Sequence, residues 1–275
     1  MVDLSDVVVK LNQLTGKKHF LFMDKCRHAA ELLMFLAKKL GFNDLIIQEE
    51  GGWYTYEKSG LKVGLNVIKA PMQSGVLLKD KFPFIPALVL LNSNPGYAYI
   101  DKFTFFDEIK KTGSLFVHDI VSSIGEDYST RGDFLIGSFG KDKPLSISSG
   151  GAFIAFDSDH HLKLLLDLKN EHFQGSGEGI SFDELSLALD NVLKKKKRWV
   201  EFSSSIKKKL LSSGFDVLNN NDSINIFVKA VGSKRENLIK FCEENNLPYQ
   251  VCPLYIRTLD DNVISIEIKK LDLEG

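Results

Sequence analysis

The feature that most constrains this chain is a series of short, almost wholly apolar runs, each closed by glycine, asparagine or a charged turn. Asp44–Gln48, Val63–Ile68, Ala87–Leu91, Leu115–His118, Phe134–Ser138 and Ala152–Phe156 are each four to six residues long. None alternates cleanly between apolar and polar, so neither face of such a strand is meant for water. Strands buried on both faces, with helices or crossover loops between them, predict a largely parallel α/β sheet. Cys26–Leu40 supplies a covering helix: Ala29, Leu32, Leu33, Leu36, Ala37 and Leu40 recur at three- and four-residue intervals, and Gly41 follows as a stop. A second helix is expected over Lys102–Lys111, ended by Gly113. Sheets of this kind bind ligands beyond the carboxyl ends of their strands. The loops after residues 48, 91, 118 and 138 therefore come first.

From about residue 166 the texture changes. Phe182–Leu211 reads as one long helix, with Leu185, Ala188, Leu189, Val192, Trp199 and Phe202 at helical spacing. Ser223–Ala230 alternates like a strand, Arg235–Asn245 like a helix, and strands follow over Gln250–Leu259 and Val263–Lys269. We expect a large α/β domain over 1–165, then a connecting helix and a small α+β domain over 166–275.

With 35 Lys+Arg against 36 Asp+Glu in 275 residues, the net charge of -1 speaks against a bulk nucleic-acid binder. Lys194–Lys197 with Arg198 point around a helix in all directions, as a solvated face does. No apolar stretch is long enough for a membrane helix, and no secretory signal is visible, so we expect a cytosolic protein without membrane contact. His160, His161 and His172 lack partners at ligand spacing, which excludes a metal site. Cys26, Cys242 and Cys252 are expected as free thiols; a Cys242–Cys252 bridge is the alternative.

Two residues stand where chemistry would occur. Asp119 ends an apolar strand, where it either faces a ligand or caps a helix. Lys143 follows the Phe134–Ser138 strand, where it is either solvated or a desolvated amine nucleophile. A lysine for covalent attachment and a carboxylate for a pyridinium nitrogen are what pyridoxal phosphate requires.

Ser138-Phe139, three residues, Lys143 and, after six more, Gly150-Gly151 resemble the signature of the DegT/DnrJ/EryC1/StrS family of fold-type I pyridoxal-phosphate enzymes. The resemblance implies that Lys143 forms the Schiff base, that Ser138 contacts the cofactor phosphate and that Asp119 holds the pyridinium nitrogen. It also implies Ser122 near the ring hydroxyl and Trp53 stacked on the ring, with core packing the alternative for Trp53. The phosphate cradle falls at Cys26, Arg27 and His28, although the family's small hydroxyl residue is missing there. Asn94 and Tyr97 are candidates to touch cofactor or substrate. Arg257 is the candidate for a substrate carboxylate, or else a surface cation.

The resemblance further implies a homodimer acting as an aminotransferase on an amino acid or amino sugar. A lyase or desulfurase reaction is the first alternative. The family's Gly-Tyr-Asn-x-Arg-Met motif is replaced here by Glu178-Gly179-Ile180-Ser181-Phe182, and the chain is short for the family. These departures leave a non-catalytic dimeric member as the second alternative.

Overall fold

The computed structural model describes residues 3–73, 75–99, 105–219 and 222–273. In chain order the elements are α1 (Leu4–Thr15), β1 (His19–Met23), α2 (Cys26–Lys39), β2 (Asp44–Gln48), α3 (Thr55–Val63) and β3 (Asn66–Ala70). The small hairpin β4 (Met72–Gln73) and β5 (Val76–Leu77) follows. Next come β6 (Leu88–Asn92), α4 (Phe106–Lys111), β7 (Leu115–Asp119), β8 (Phe134–Ser138), β9 (Ala152–Phe156), α5 (Asp159–His172) and α6 (Phe182–Ser212). The chain ends with β10 (Asp216–Val217), β11 (Ile226–Lys229), α7 (Ser233–Glu244), β12 (Tyr249–Val251) and β13 (Val263–Ile266).

Seven strands form the main sheet in the order β1-β9-β8-β7-β6-β2-β3. All run parallel except β9, which is antiparallel to both β1 and β8. Both faces are covered, which is why the strand sequences do not alternate. On one side Leu45, Ile47, Leu88, Leu90, Val117 and Ile136 pack under α2. On the other, Ile46, Val89, Leu91 and Phe116 meet Phe82, Phe105 and Ile109, while Leu135 and Phe153 meet Val7 and Leu11 of α1 and Leu185 and Val192 of α6. A four-stranded antiparallel sheet, β10-β11-β13-β12, closes a second core against α6 and α7.

Several boundaries differ from expectation for local reasons. Val63 is the last residue of α3 and Gly64 caps it at φ 81°, so the strand expected from Val63 starts at Asn66. Pro253 has no N–H to extend a ladder; β12 stops at Val251, and the expected long strand becomes a turn closed by a Leu254–Thr258 bridge. Of the helix expected over 102–111, residues 106–111 are helical and 102–104 lie outside the described residues. α1, β1, α3, the β4–β5 hairpin, α5 and β10 are additional elements. All three cysteines are free thiols. Among the described residues no helix is long and apolar enough to cross a membrane.

β8 and β9 pack closely as antiparallel neighbours. Gly137 lies opposite Phe153, and a β-carbon on it would overlap the Phe153 ring. Both are fully buried, so nothing nearby yields easily. Gly137→Ala should cost about 1–3 kcal/mol and lower the thermal midpoint by roughly 2–10 °C. A calorimetric scan showing no shift would contradict this packing.

Candidate active site

Three neighbouring strands end in polar residues at one edge of the main sheet: β6 in Asn92, β7 in Asp119 and β8 in Ser138. The parallel register sets Asn92 directly beside Asp119. Above them opens a cavity of about 520 Å³. The start of α2, residues 51–56 leading into α3, Lys143, and Ile256, Arg257 and Lys269 from the C-terminal region complete its wall. A larger open cleft of about 850 Å³ adjoins it at Lys141 and Gly150 but contains neither Asp119 nor Lys143.

Asp119 is 3 % exposed and held on three sides. Tyr56 Oη donates to Oδ2 at 2.8 Å and Asn92 Nδ2 to the same oxygen at 3.2 Å; Val121 N donates to Oδ1 at 3.0 Å. Oδ1 thus accepts one N–H and keeps a lone pair for a further donor. Burial raises the carboxyl pKa above its ordinary value, against the opposing pull of the Val121 N–H, the Tyr56 hydroxyl and the Lys143 charge. Burial likewise pushes the Cys26 thiol up to about 12, with the nearby Asp119 carboxylate adding to the shift. Cys26 therefore lines the cavity as a neutral thiol.

Lys143 Nζ donates to Tyr97 Oη at 2.6 Å and lies 4.8 Å from the Tyr97 ring centroid and 5.4 Å from that of Trp53. Burial alone pushes this ammonium down, but contact with Tyr97 and the charge of Asp119 outweigh it, and the net shift is upward. Tyr97 owes its position to backbone strain. It has a left-handed φ of 66°, unusual for a residue with a β-carbon, in the Asn94-Pro95-Gly96-Tyr97 turn. Gly96 N donates to Gly51 O, Asn225 Nδ2 to Gly96 O and Asn225 N to Tyr97 O, so both ends of the molecule grip the turn. A β-carbon on Gly96 would reach Phe227 at 2.6 Å, which explains the glycine there.

Of the residues singled out from the sequence, Lys143, Asp119, Ser138, Trp53, Cys26, Arg27, Tyr97 and Arg257 all border this one cavity. Trp53 is 36 % exposed at its mouth. Three others do not border it. Ser122 is buried beneath Asp119, near Asn92 Oδ1 at 3.4 Å. His28, in the first turn of α2, lines another cleft with Glu31 and Phe173. Asn94 is buried in the turn, where its backbone N–H donates to Asn92 Oδ1 at 2.7 Å. Arg257 reaches the cavity but is already paired: Nε and Nη2 donate to the two oxygens of fully buried Glu267 at 2.6 and 2.5 Å. That bidentate pairing leaves little of the fork for a substrate carboxylate.

Asn92, Tyr56 and Lys269 are cavity residues that the sequence reading passed over. Asn92 carried a usable signal, as the polar last residue of a buried strand. Tyr56 and Lys269 arrive only through tertiary packing.

No protein-family model and no curated protein matches the chain. Solved structures do. NtdA from Bacillus subtilis, solved with bound cofactor PMP, is similar over 98 % of this chain and 74 % of its own, with TM-score 0.71 and 13 % identity. A DegT/DnrJ/EryC1/StrS aminotransferase from Brucella abortus is similar over 98 % and 86 %, with TM-score 0.69 and 12 % identity. Serine palmitoyltransferase of Sphingomonas wittichii is similar over 95 % and 69 %, with TM-score 0.69 and 14 % identity. The chain therefore shares the fold of these structures.

Two outcomes follow from the geometry. Lys143 should react with trinitrobenzenesulfonate, mapped peptide by peptide, only at pH above that of an ordinary lysine; Tyr97→Phe should move its profile to lower pH. An unchanged profile would show that Tyr97 does not set the state of the amine. Glu267→Gln strips a buried guanidinium of its counter-charge and should cost about 3–5 kcal/mol in chemical denaturation.

Proposed function

We propose that this chain is a pyridoxal-phosphate-dependent aminotransferase acting on a small amino compound, an amino acid or an amino sugar, with Lys143 as the covalent attachment point. The observation that carries the reading is the pairing, across one cavity, of the Lys143 amine with a buried carboxylate, Asp119, that retains an unused lone pair. The donor set fits the cofactor at its other end as well. α2 begins at Cys26 with no side-chain cap, leaving first-turn N–H groups and the positive helix end for a phosphate. Ser138 Oγ and Arg27 border the same cavity.

When bound, the cofactor supplies an electron sink that stabilises a carbanion at the substrate α-carbon. Asp119 Oδ1 would hold the proton on the pyridinium nitrogen, and the neutral hydroxyl of Tyr56 would fix that carboxylate. Lys143 Nζ, oriented by Tyr97 Oη, would carry the α-proton as general base. Trp53 would cover the ring and exclude water from one side. Amino transfer, rather than another reaction, is supported by the likeness to the Brucella abortus aminotransferase. A palmitoyltransferase of the same fold is the reason fold alone does not choose. In this reading residues 1–165 hold the cofactor and 166–275 close the site, and the chain works as a cytosolic homodimer.

Purified protein incubated with pyridoxal phosphate should gain visible absorbance that Lys143→Ala abolishes. Asp119→Asn should keep the absorbance but slow conversion to the amine form by about 100-fold or more, the equivalent of losing a buried charge pair of about 3 kcal/mol. No absorbance in the wild type would refute the reading.

A further inference from the structure

Lys269 enters the same cavity from the far end of the sequence. It lies in the short 3-10 turn Ile268–Lys270 after β13 and is 6 % exposed. Its Nζ lies 3.7 Å from the Tyr97 ring centroid. Among the described residues no hydrogen bond or ion pair engages the amine. Glu267, the acid whose charge bears on Lys269, is already engaged by Arg257 and Ser265, with Lys270 at 3.9 Å. Burial, together with the positive charges of Arg257 and Lys143, drives the Lys269 pKa well below its ordinary value; Glu267 opposes and Lys270 adds to the shift.

A buried amine beside two cations and without a counter-charge is disfavoured as an ammonium until an anion arrives. An anion entering the cavity would relieve that penalty. Lys143 and Lys269 both lie within 5 Å of one ring centroid, at 4.8 and 3.7 Å, so both amines face the same part of the cavity. A compact molecule that carries both an amine and a carboxylate can present one group to each lysine. The most obvious cation for the carboxylate, Arg257, is occupied by Glu267.

We propose that Lys269 receives the carboxylate of the amino donor while the donor amine engages the Lys143 side of the cavity. This rests on the reading of Lys143 as the centre of amino chemistry. Lys269 is then a substrate-binding residue that selects carboxylate-bearing donors.

The test titrates succinate, a dicarboxylate without an amine, by calorimetry into the full chain with and without pyridoxal phosphate. Neutral succinamide is the control. Wild-type protein should bind succinate in preference to succinamide. Lys269→Met and Lys269→Gln should each weaken succinate by about tenfold or more, as loss of a charge-assisted hydrogen bond does, whereas Lys269→Arg should retain it. Cofactor absorbance should be the same in all of these proteins. Two variants of different polarity guard against one that fails to fold.

Succinate affinity within about twofold of wild type in a folded Lys269→Met or Lys269→Gln protein would overturn the assignment. So would the absence of succinate binding to wild type, or tighter binding of inorganic phosphate through Lys269. Lys269-dependent succinate binding in a protein that never takes up pyridoxal phosphate would uphold the carboxylate site and refute the role of Lys143. Normal absorbance with variants that match wild type would refute the carboxylate site alone.

Discussion

The cavity depends on one clamp, the grip of Gly51 and Asn225 on the turn that carries Tyr97. The turn leaves β6 at the edge of the main sheet, hydrogen-bonds to the loop after β2 through Gly96 and Gly51, and is held from the small-sheet side by Asn225. Around it the two parts of the molecule are stitched together by buried polar contacts. Glu50 accepts from Thr258 Oγ1 and Leu259 N, and Tyr255 Oη donates to Gln48 O. A left-handed tyrosine is costly, by about 1–3 kcal/mol, and persists where its surroundings over-determine it. Here the strain delivers one aromatic ring that meets both Lys143 and Lys269.

Electrostatics divide the cavity into two ends. At the sheet end a buried carboxylate, Asp119, is matched by neutral hydroxyl and amide donors and faces the Lys143 ammonium. At the C-terminal end the acid, Glu267, is fully buried and its pKa stays below the usual carboxylate range: burial works against the charge, but the Arg257 hydrogen bonds and charge prevail. The charge left unmatched is on the basic side. That imbalance suits a site that receives anions at both extremes, a phosphate at the start of α2 and a carboxylate near Lys269.

Much of this was legible in the sequence. The apolar runs marked β2, β6, β7, β8 and β9 because strands buried on both faces cannot tolerate polar alternation. Asp119 and Lys143 could be picked out because one ends such a strand and the other follows one. Other elements carried weaker signals: α5 is rich in charge and histidine, and few of its residues are buried. The partners of the site residues were hidden for a different reason. Tyr56 is 63 residues from Asp119 along the chain, and Glu267 claims Arg257 across a turn. Whether an arginine is free, or a lysine has a counter-charge, is decided by packing that no local spacing encodes.

In the proposed function Lys143 attaches the cofactor, and not Lys141 beside it or Lys269 across the cavity. Borohydride reduction of the protein incubated with pyridoxal phosphate, followed by peptide mapping, tests it most directly. A single modified peptide is expected, with the label on Lys143. Label on Lys141 or Lys269, or no stable label at all, would contradict it.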